Sequence, residues 1–206
     1  MPDVATLAKT VVWWGFGLGV VFGFFANKTN FCTMGAVSDV VNMGDWGRMR
    51  AWLLAIAVAI LGTNILAWNG TFNIAKTIYT GQNLPWLAHL VGGLTFGIGM
   101  TLASGCGNKT LVRVGGGNLK AVVVFLYMAY SAYLTLKGIF AVFRVNVLQA
   151  PAVTLQLPTH QTLPNLLHPA LGMDLATAEL AIAVVLAGAL LAFVFLNKEF
   201  WENKDN

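Results

Sequence analysis

Five stretches of this chain are apolar almost without interruption, at residues 5–26, 51–68, 86–103, 119–138 and 175–196. Each is close to the roughly 20 residues that a membrane-spanning helix needs. Two shorter apolar pieces lie between them, at 31–41 and 106–114. About ten residues cannot cross a bilayer as a helix, so these pieces predict half-helices that turn back inside the membrane. Polar breaks frame the first of them: Asn27 to Asn30 before it, and Met43 to Arg50 after it. A second polar stretch, Asn69 to Pro85, reads as a loop, and Pro85-Trp86 as the start of the third span. Residues 139–150 read as an amphipathic piece lying on the membrane surface. Residues 151–174 hold four of the six prolines and two of the three histidines, and read as an irregular loop. The fold class expected is therefore an all-α polytopic membrane protein with about five transmembrane helices. Residues 1–10 are too polar for a signal peptide and read as retained, and WENKDN, residues 201–206, as a solvated tail.

The half-helices belong to a repeat. Displaced by 74 positions, Cys32 falls on Cys106, Gly19 on Gly93, Phe22 on Phe96 and Gly23 on Gly97. The pattern G-x-x-F-G, eight residues, then C thus occurs twice and takes in the only two cysteines. Matched, glycine-interrupted apolar segments are the sequence signature of a transport site at a repeat interface. The organisation expected is one integral membrane domain over 1–206. Within it are a repeat spanning 15–68 and 89–138 and an additional C-terminal transmembrane helix at 175–196.

Composition narrows the class. The chain is 57% hydrophobic and 10% charged, with a mean hydropathy of +0.71, against about 25% charged for soluble domains. No basic run interleaved with aromatics points to nucleic acid. Two cysteines make neither a disulfide framework nor a structural zinc site. His89 has no second ligand near it, so no metal and no cofactor is expected. Basic residues are uneven across the predicted faces. Lys28, Arg48, Arg50, Lys109, Arg113, Lys120, Lys198 and Lys204 share one face, and Lys9, Lys76, Lys137 and Arg144 the other. The positive-inside rule then puts the cysteine loops and the C-terminus inside and the N-terminus outside.

Chemistry converges on the two cysteine loops. A half-helix that begins inside the membrane presents unpaired N–H groups and the positive end of its dipole, which together form an anion site. Cys32 is flanked by Asn30, Thr33 and Gly35, and Cys106 by Ser104, Gly105, Gly107 and Asn108. A thiol is polarizable and a weak donor, so it suits a soft, sulfur-bearing ligand. A neutral thiol that donates to a passing anion is favoured, because a thiolate would repel it. Lys109 and Arg113 share one face of the second half-helix. Asp39 occupies the position equivalent to Arg113, so the two form a candidate charge pair. Buried structural cysteines are the bland alternative.

The segment 96–121, running FGIGMTLASGCGNKTLVRVGGGNLKA, resembles the signature of the YeeE/YedE family of membrane sulfur-compound transporters, the thiosulfate permeases. NKTNFCTMGAVSDV, at 27–40, is similar to the family's first cysteine motif. The likeness covers roughly residues 15–135. It implies an all-helical bundle with short re-entrant helices meeting at mid-membrane, and uptake of thiosulfate or a related sulfur anion. Cys32 and Cys106 would hand the substrate on by transient S–H···S contacts, with Asn108, Lys109 and Arg113 lining the second loop. Members of this kind are longer and carry a further cysteine, so a homo-oligomer or a sister subunit is implied, together with a TusA-type soluble sulfur carrier. The implied location is the bacterial cytoplasmic (inner) membrane. The chain reads as a transporter and not an enzyme. A membrane thiol oxidoreductase, or a membrane subunit that only docks a sulfur carrier, remain the alternatives.

Overall fold

In hydrocarbon, a backbone N–H or C=O finds no water, so apolar segments must satisfy these groups within a helix. The computed structural model, which describes residues 3–71, 73, 74, 77, 79–171 and 175–196, follows that rule throughout. Its helices are α1 (Val4–Lys28), α2 (Thr33–Met43), α3 (Gly47–Trp68), α4 (Trp86–Leu102) and α5 (Gly107–Gly115). They continue with α6 (Leu119–Lys137), α7 (Ile139–Phe143), α8 (Leu163–Leu171) and α9 (Leu175–Phe195). Five pieces are long and apolar enough to cross a membrane: α1 continued by α2, α3, α4 continued by α5, α6, and most of α9. The chain is an all-α integral membrane protein.

Helix α3 packs most extensively against α9. Ala57 of α3 and Ala178, Ala183 and Ala187 of α9 are buried, and such small side chains let membrane helices approach closely. Trp46, just before α3, meets Phe193 edge-on with ring centroids 5.7 Å apart. Helix α2 lies on α3, while α5 lies on α6 and touches α1. Helices α1 and α4 are different in kind: none of the apolar window of either span is buried.

One expectation needs correcting. Residues 151–174 are not irregular throughout, since α8 occupies Leu163–Leu171. Its prolines gave the loop reading, yet Pro164 sits in the first turn, where a helix has no use for the missing N–H. The 151–174 segment also joins the loop that precedes α4. Strand β1 (Asn83–Leu84) pairs antiparallel with β2 (Leu155–Gln156), Asn83 opposite Gln156, and His160 Nδ1 lies 2.9 Å from the carbonyl of Thr80. The segment after α6 forms α7 and runs on into a π-helical turn, Arg144–Leu148. Lys76, Lys198, Lys204 and the expected solvated tail lie outside the described residues.

Candidate functional site

The two cysteine loops are built by the same backbone. Helix α1 closes with Thr29 N–H to Phe25 O, Asn30 N–H to Asn27 O, and Phe31 N–H to Ala26 O. Helix α4 closes with Ala103 to Gly99, Ser104 to Thr101, and Gly105 to Met100. Every donor and acceptor of the second set stands 74 places after its counterpart in the first. Asn30 and Ser104 are also the only described non-glycine residues with positive φ, at 49° and 55°. Few side chains tolerate that left-handed region, and asparagine is the more tolerant of these two. One left-handed residue ends the incoming helix, one residue follows, and then a cysteine caps the half-helix. Cys32 is the N-cap of α2 and Cys106 the N-cap of α5.

This turn brings the sulfurs together. Cys106 Sγ donates to Cys32 Sγ across 3.4 Å, and both residues are buried, at 3% and 6% exposure. Both are free thiols. Cys32 Sγ also accepts from the Gly35 N–H at 3.5 Å, as a side-chain cap of its own helix. The Cys106 side chain makes no cap bond to α5. Asn108 ties the loops together by donating from Nδ2 to the carbonyl of Phe31 at 3.0 Å. The Phe31 ring stacks on Trp52 of α3, with centroids 5.0 Å apart and planes 11° off parallel. Phe31 is therefore held by its ring and its carbonyl at once, which fixes the residue beside Cys32. On the other arm Met128 of α6 packs beside Gly107, its Cε 3.5 Å from where a Cβ would stand, an ordinary contact distance.

A cavity of about 400 Å³ adjoins the loops, lined by Asn27, Asn30, Phe31, Lys109, Arg113 and Asn118 among others. Two cations and three carboxamides, with no carboxylate, make it a place for a small anion. Arg113 itself is exposed and donates to the Ser104 carbonyl at 3.4 Å. Thr110 donates to the Cys106 carbonyl at 3.3 Å. Among the described residues no group of three or more histidines, cysteines or carboxylates is placed to hold a metal.

A profile described as sulphur transport matches residues 28–204. The chain belongs to the sulphur transport family. It is 32% identical over 119 residues to the thiosulfate transporter TsuA of Escherichia coli K12, covering 57% of this chain and 32% of that protein. It is 28% identical over 131 residues to thiosulfate transporter TsuA of Spirochaeta thermophila, covering 64% of this chain and 38% of that protein. The matched segments thus span about a third of these relatives.

Within this family member, the residues singled out from sequence fall into three groups. Cys32, Cys106 and Gly35 meet at the thiol pair, and Asn108 bonds the Phe31 carbonyl next to Cys32. Asn30, Lys109 and Arg113 line the adjoining cavity. Thr33 and Gly107 open the two half-helices, while Ser104 and Gly105 form the turn before Cys106. One pairing is overturned. Asp39 does not meet Arg113; its Oδ2 lies 2.7 Å from Arg48 Nε. The tight turn at Gly44, in the left-handed region at φ 69°, lays α3 back along α2 and delivers Arg48 to the buried carboxylate. Sequence reasoning also passed over Asn27, Asn118 and Trp52. Asn27 had a signal of its own, standing three residues before Asn30 in the same polar break; Trp52 had none.

Proposed function

We propose that this chain forms the sulfur-handling part of a permease for a small sulfur anion, thiosulfate being the substrate that best fits the site. The observation that carries the reading is the pair of buried thiols, 3.4 Å apart at the caps of two half-helices. Beside them lies a cavity whose side chains include Lys109 and Arg113. The helix starts supply positive dipole ends, and the cations supply charge to offset the anion's desolvation. The thiols supply S–H donors to a soft sulfur acceptor. No covalent bond forms or breaks: the anion trades one weak hydrogen bond for the next as it passes Cys106 and Cys32. The two arms, 15–68 and 89–138, act as one repeat around this point. Asn30, Thr33, Gly35, Ser104, Gly105, Gly107 and Asn108 shape the path.

On this reading the pore is completed by a second copy or a sister subunit. A TusA-type carrier would receive sulfur on the inner side of the bacterial cytoplasmic membrane, with the N-terminus outside and the C-terminus inside. Uptake of radiolabelled thiosulfate into proteoliposomes holding the full chain, beside its Cys106→Ala variant, tests the reading. Uptake by the wild type that the variant loses is expected. Equal uptake by both would remove the thiol from the path.

The sulfur contact also favours a second reading, a dithiol that cycles with a disulfide in a membrane oxidoreductase. Thiol trapping in native membranes separates the two. A Cys32–Cys106 disulfide that turns over with a quinone would support the redox reading, and thiols that stay reduced during uptake would exclude it.

A further inference from the structure

Position 35 is a glycine in the first arm, and its repeat equivalent 74 places on is Lys109. The second arm therefore carries a cation on its own half-helix, three residues after the cysteine. The first arm has no side chain there, yet the place is not empty. A Cβ built on Gly35 would lie 2.6 Å from a guanidinium nitrogen of Arg48 and 3.6 Å from the Cβ of Cys32. Arg48 reaches in from the start of α3 and fills the space a side chain at 35 would occupy. Asp39, one turn further along α2 and 4% exposed, grips the same guanidinium at 2.7 Å. The Arg48 side chain still keeps 42% of its surface exposed, so the ion pair does not consume it. A guanidinium has five donors in a planar fork, and one carboxylate leaves others for a second anion.

We infer that Arg48 is the first arm's counterpart of Lys109, a second anion-contacting cation placed beside Cys32, with Asp39 and the bare Gly35 as its positioning residues. On this reading the thiol pair is flanked by one cation per arm, supplied in two ways by two halves of one repeat. An anion leaving the Lys109 side would meet positive charge again at Cys32. The inference deepens the permease reading and rests on it for its meaning, but the geometry makes a claim testable without transport.

The test uses the full chain carrying Cys106→Ala, so that Cys32 is the one cysteine left. The rates at which it reacts with an anionic and a cationic methanethiosulfonate of similar size are measured. Their ratio reports the local charge and not the stability of the fold. Arg48→Gln should lower the anionic-to-cationic ratio by roughly threefold or more, the scale of one nearby charge in a half-exposed setting. Arg48→Lys should keep it. The Asp39→Asn/Arg48→Gln double variant, which removes both charges of the pair and leaves no buried carboxylate unpaired, should show a smaller fall than Arg48→Gln alone. Gly35→Lys/Arg48→Gln moves the cation onto the half-helix, as in the second arm and four residues before Asp39, and should restore the ratio. A ratio indifferent to Arg48→Gln, or not rescued by the lysine at 35, overturns the inference. If the ratio shifts as expected but the wild type takes up no thiosulfate, the cation beside Cys32 stands and the permease reading falls. If uptake is normal and the ratio does not shift, the reverse holds.

Discussion

The two cysteine arms share a backbone turn and differ in what holds it. In the first arm α2 rests on α3, which rests on α9. Cys32 is capped there by an N–H of its own helix, and Phe31 is stacked on Trp52. In the second arm α5 rests on α6 and brushes α1, and the Cys106 thiol is held by the other cysteine. Charge divides differently again. The second arm carries Lys109 and Arg113 on its own half-helix, whereas the first carries Asp39 and receives Arg48 from the next helix. A repeat can thus keep a backbone hydrogen-bond pattern residue for residue while its side chains part ways. One arm is the better anchored, and the other carries its cations on its own half-helix.

The thiols give the largest test of that difference. Loss of one hydrogen-bond donor to an anion costs about 1.5–3 kcal/mol, so Cys32→Ala and Cys106→Ala should each cut thiosulfate uptake roughly tenfold to a hundredfold. Their remaining thiols should behave unequally. Cys32 keeps its bond from the Gly35 N–H in the Cys106→Ala variant, whereas Cys106 loses its sulfur partner in Cys32→Ala. Alkylation by a neutral maleimide should therefore be faster at Cys106 in Cys32→Ala than at Cys32 in Cys106→Ala. Equal rates would mean the anchoring is no different in the two arms.

Support for the first arm can be attacked from behind. Ala187 on α9 has no exposed surface, so Ala187→Leu overpacks a close helix contact and should destabilise the fold by about 1–3 kcal/mol. Thermal melts in detergent would show it as a lower Tm. An unchanged Tm would show that α9 does not brace this arm.

The charge of the second arm comes next in size. Lys109→Gln should raise the KM for uptake by roughly threefold to tenfold, as loss of one partly desolvated charge contact does. Arg113→Gln should do less, because Arg113 is exposed and already donates to the Ser104 carbonyl. A KM unmoved in both variants would take the cavity off the substrate path.

Much of this architecture could be read from apolar run length. The spans expected at 51–68, 86–103 and 119–138 lie within a few residues of α3, α4 and α6, because hydrocarbon leaves the backbone no alternative to a helix. The likeness of the two cysteine turns was visible as a spacing. What spacing could not supply was which side chains cross between elements. Symmetry made Asp39 and Arg113 equivalent, and equivalence was mistaken for proximity; Asp39 meets Arg48, a neighbour in the chain beyond a left-handed glycine. Arg48 read as one of several basic loop residues, because the vacancy it fills at Gly35 exists only once α3 lies along α2. Helix α8 was hidden by prolines, whose meaning depends on where in a helix they fall.

The smallest expected effect bears on the least supported element. A Cβ on Gly97 of α4 would meet nothing within 4 Å, so Gly97→Leu adds apolar surface to an unobstructed face. If that face meets only lipid, the change should leave stability within about 0.5 kcal/mol of the wild type, with the Tm essentially unmoved and uptake intact. Lipid tails accept a leucine as readily as they accept a helix groove. The outcome differs if another helix seats there in the assembled pore. Glycines in membrane helices permit close backbone approach, and a leucine would hold the two helices apart. Loss of uptake with an unchanged Tm would then mark α4 as the side on which the second arm finds the support that this chain does not itself provide.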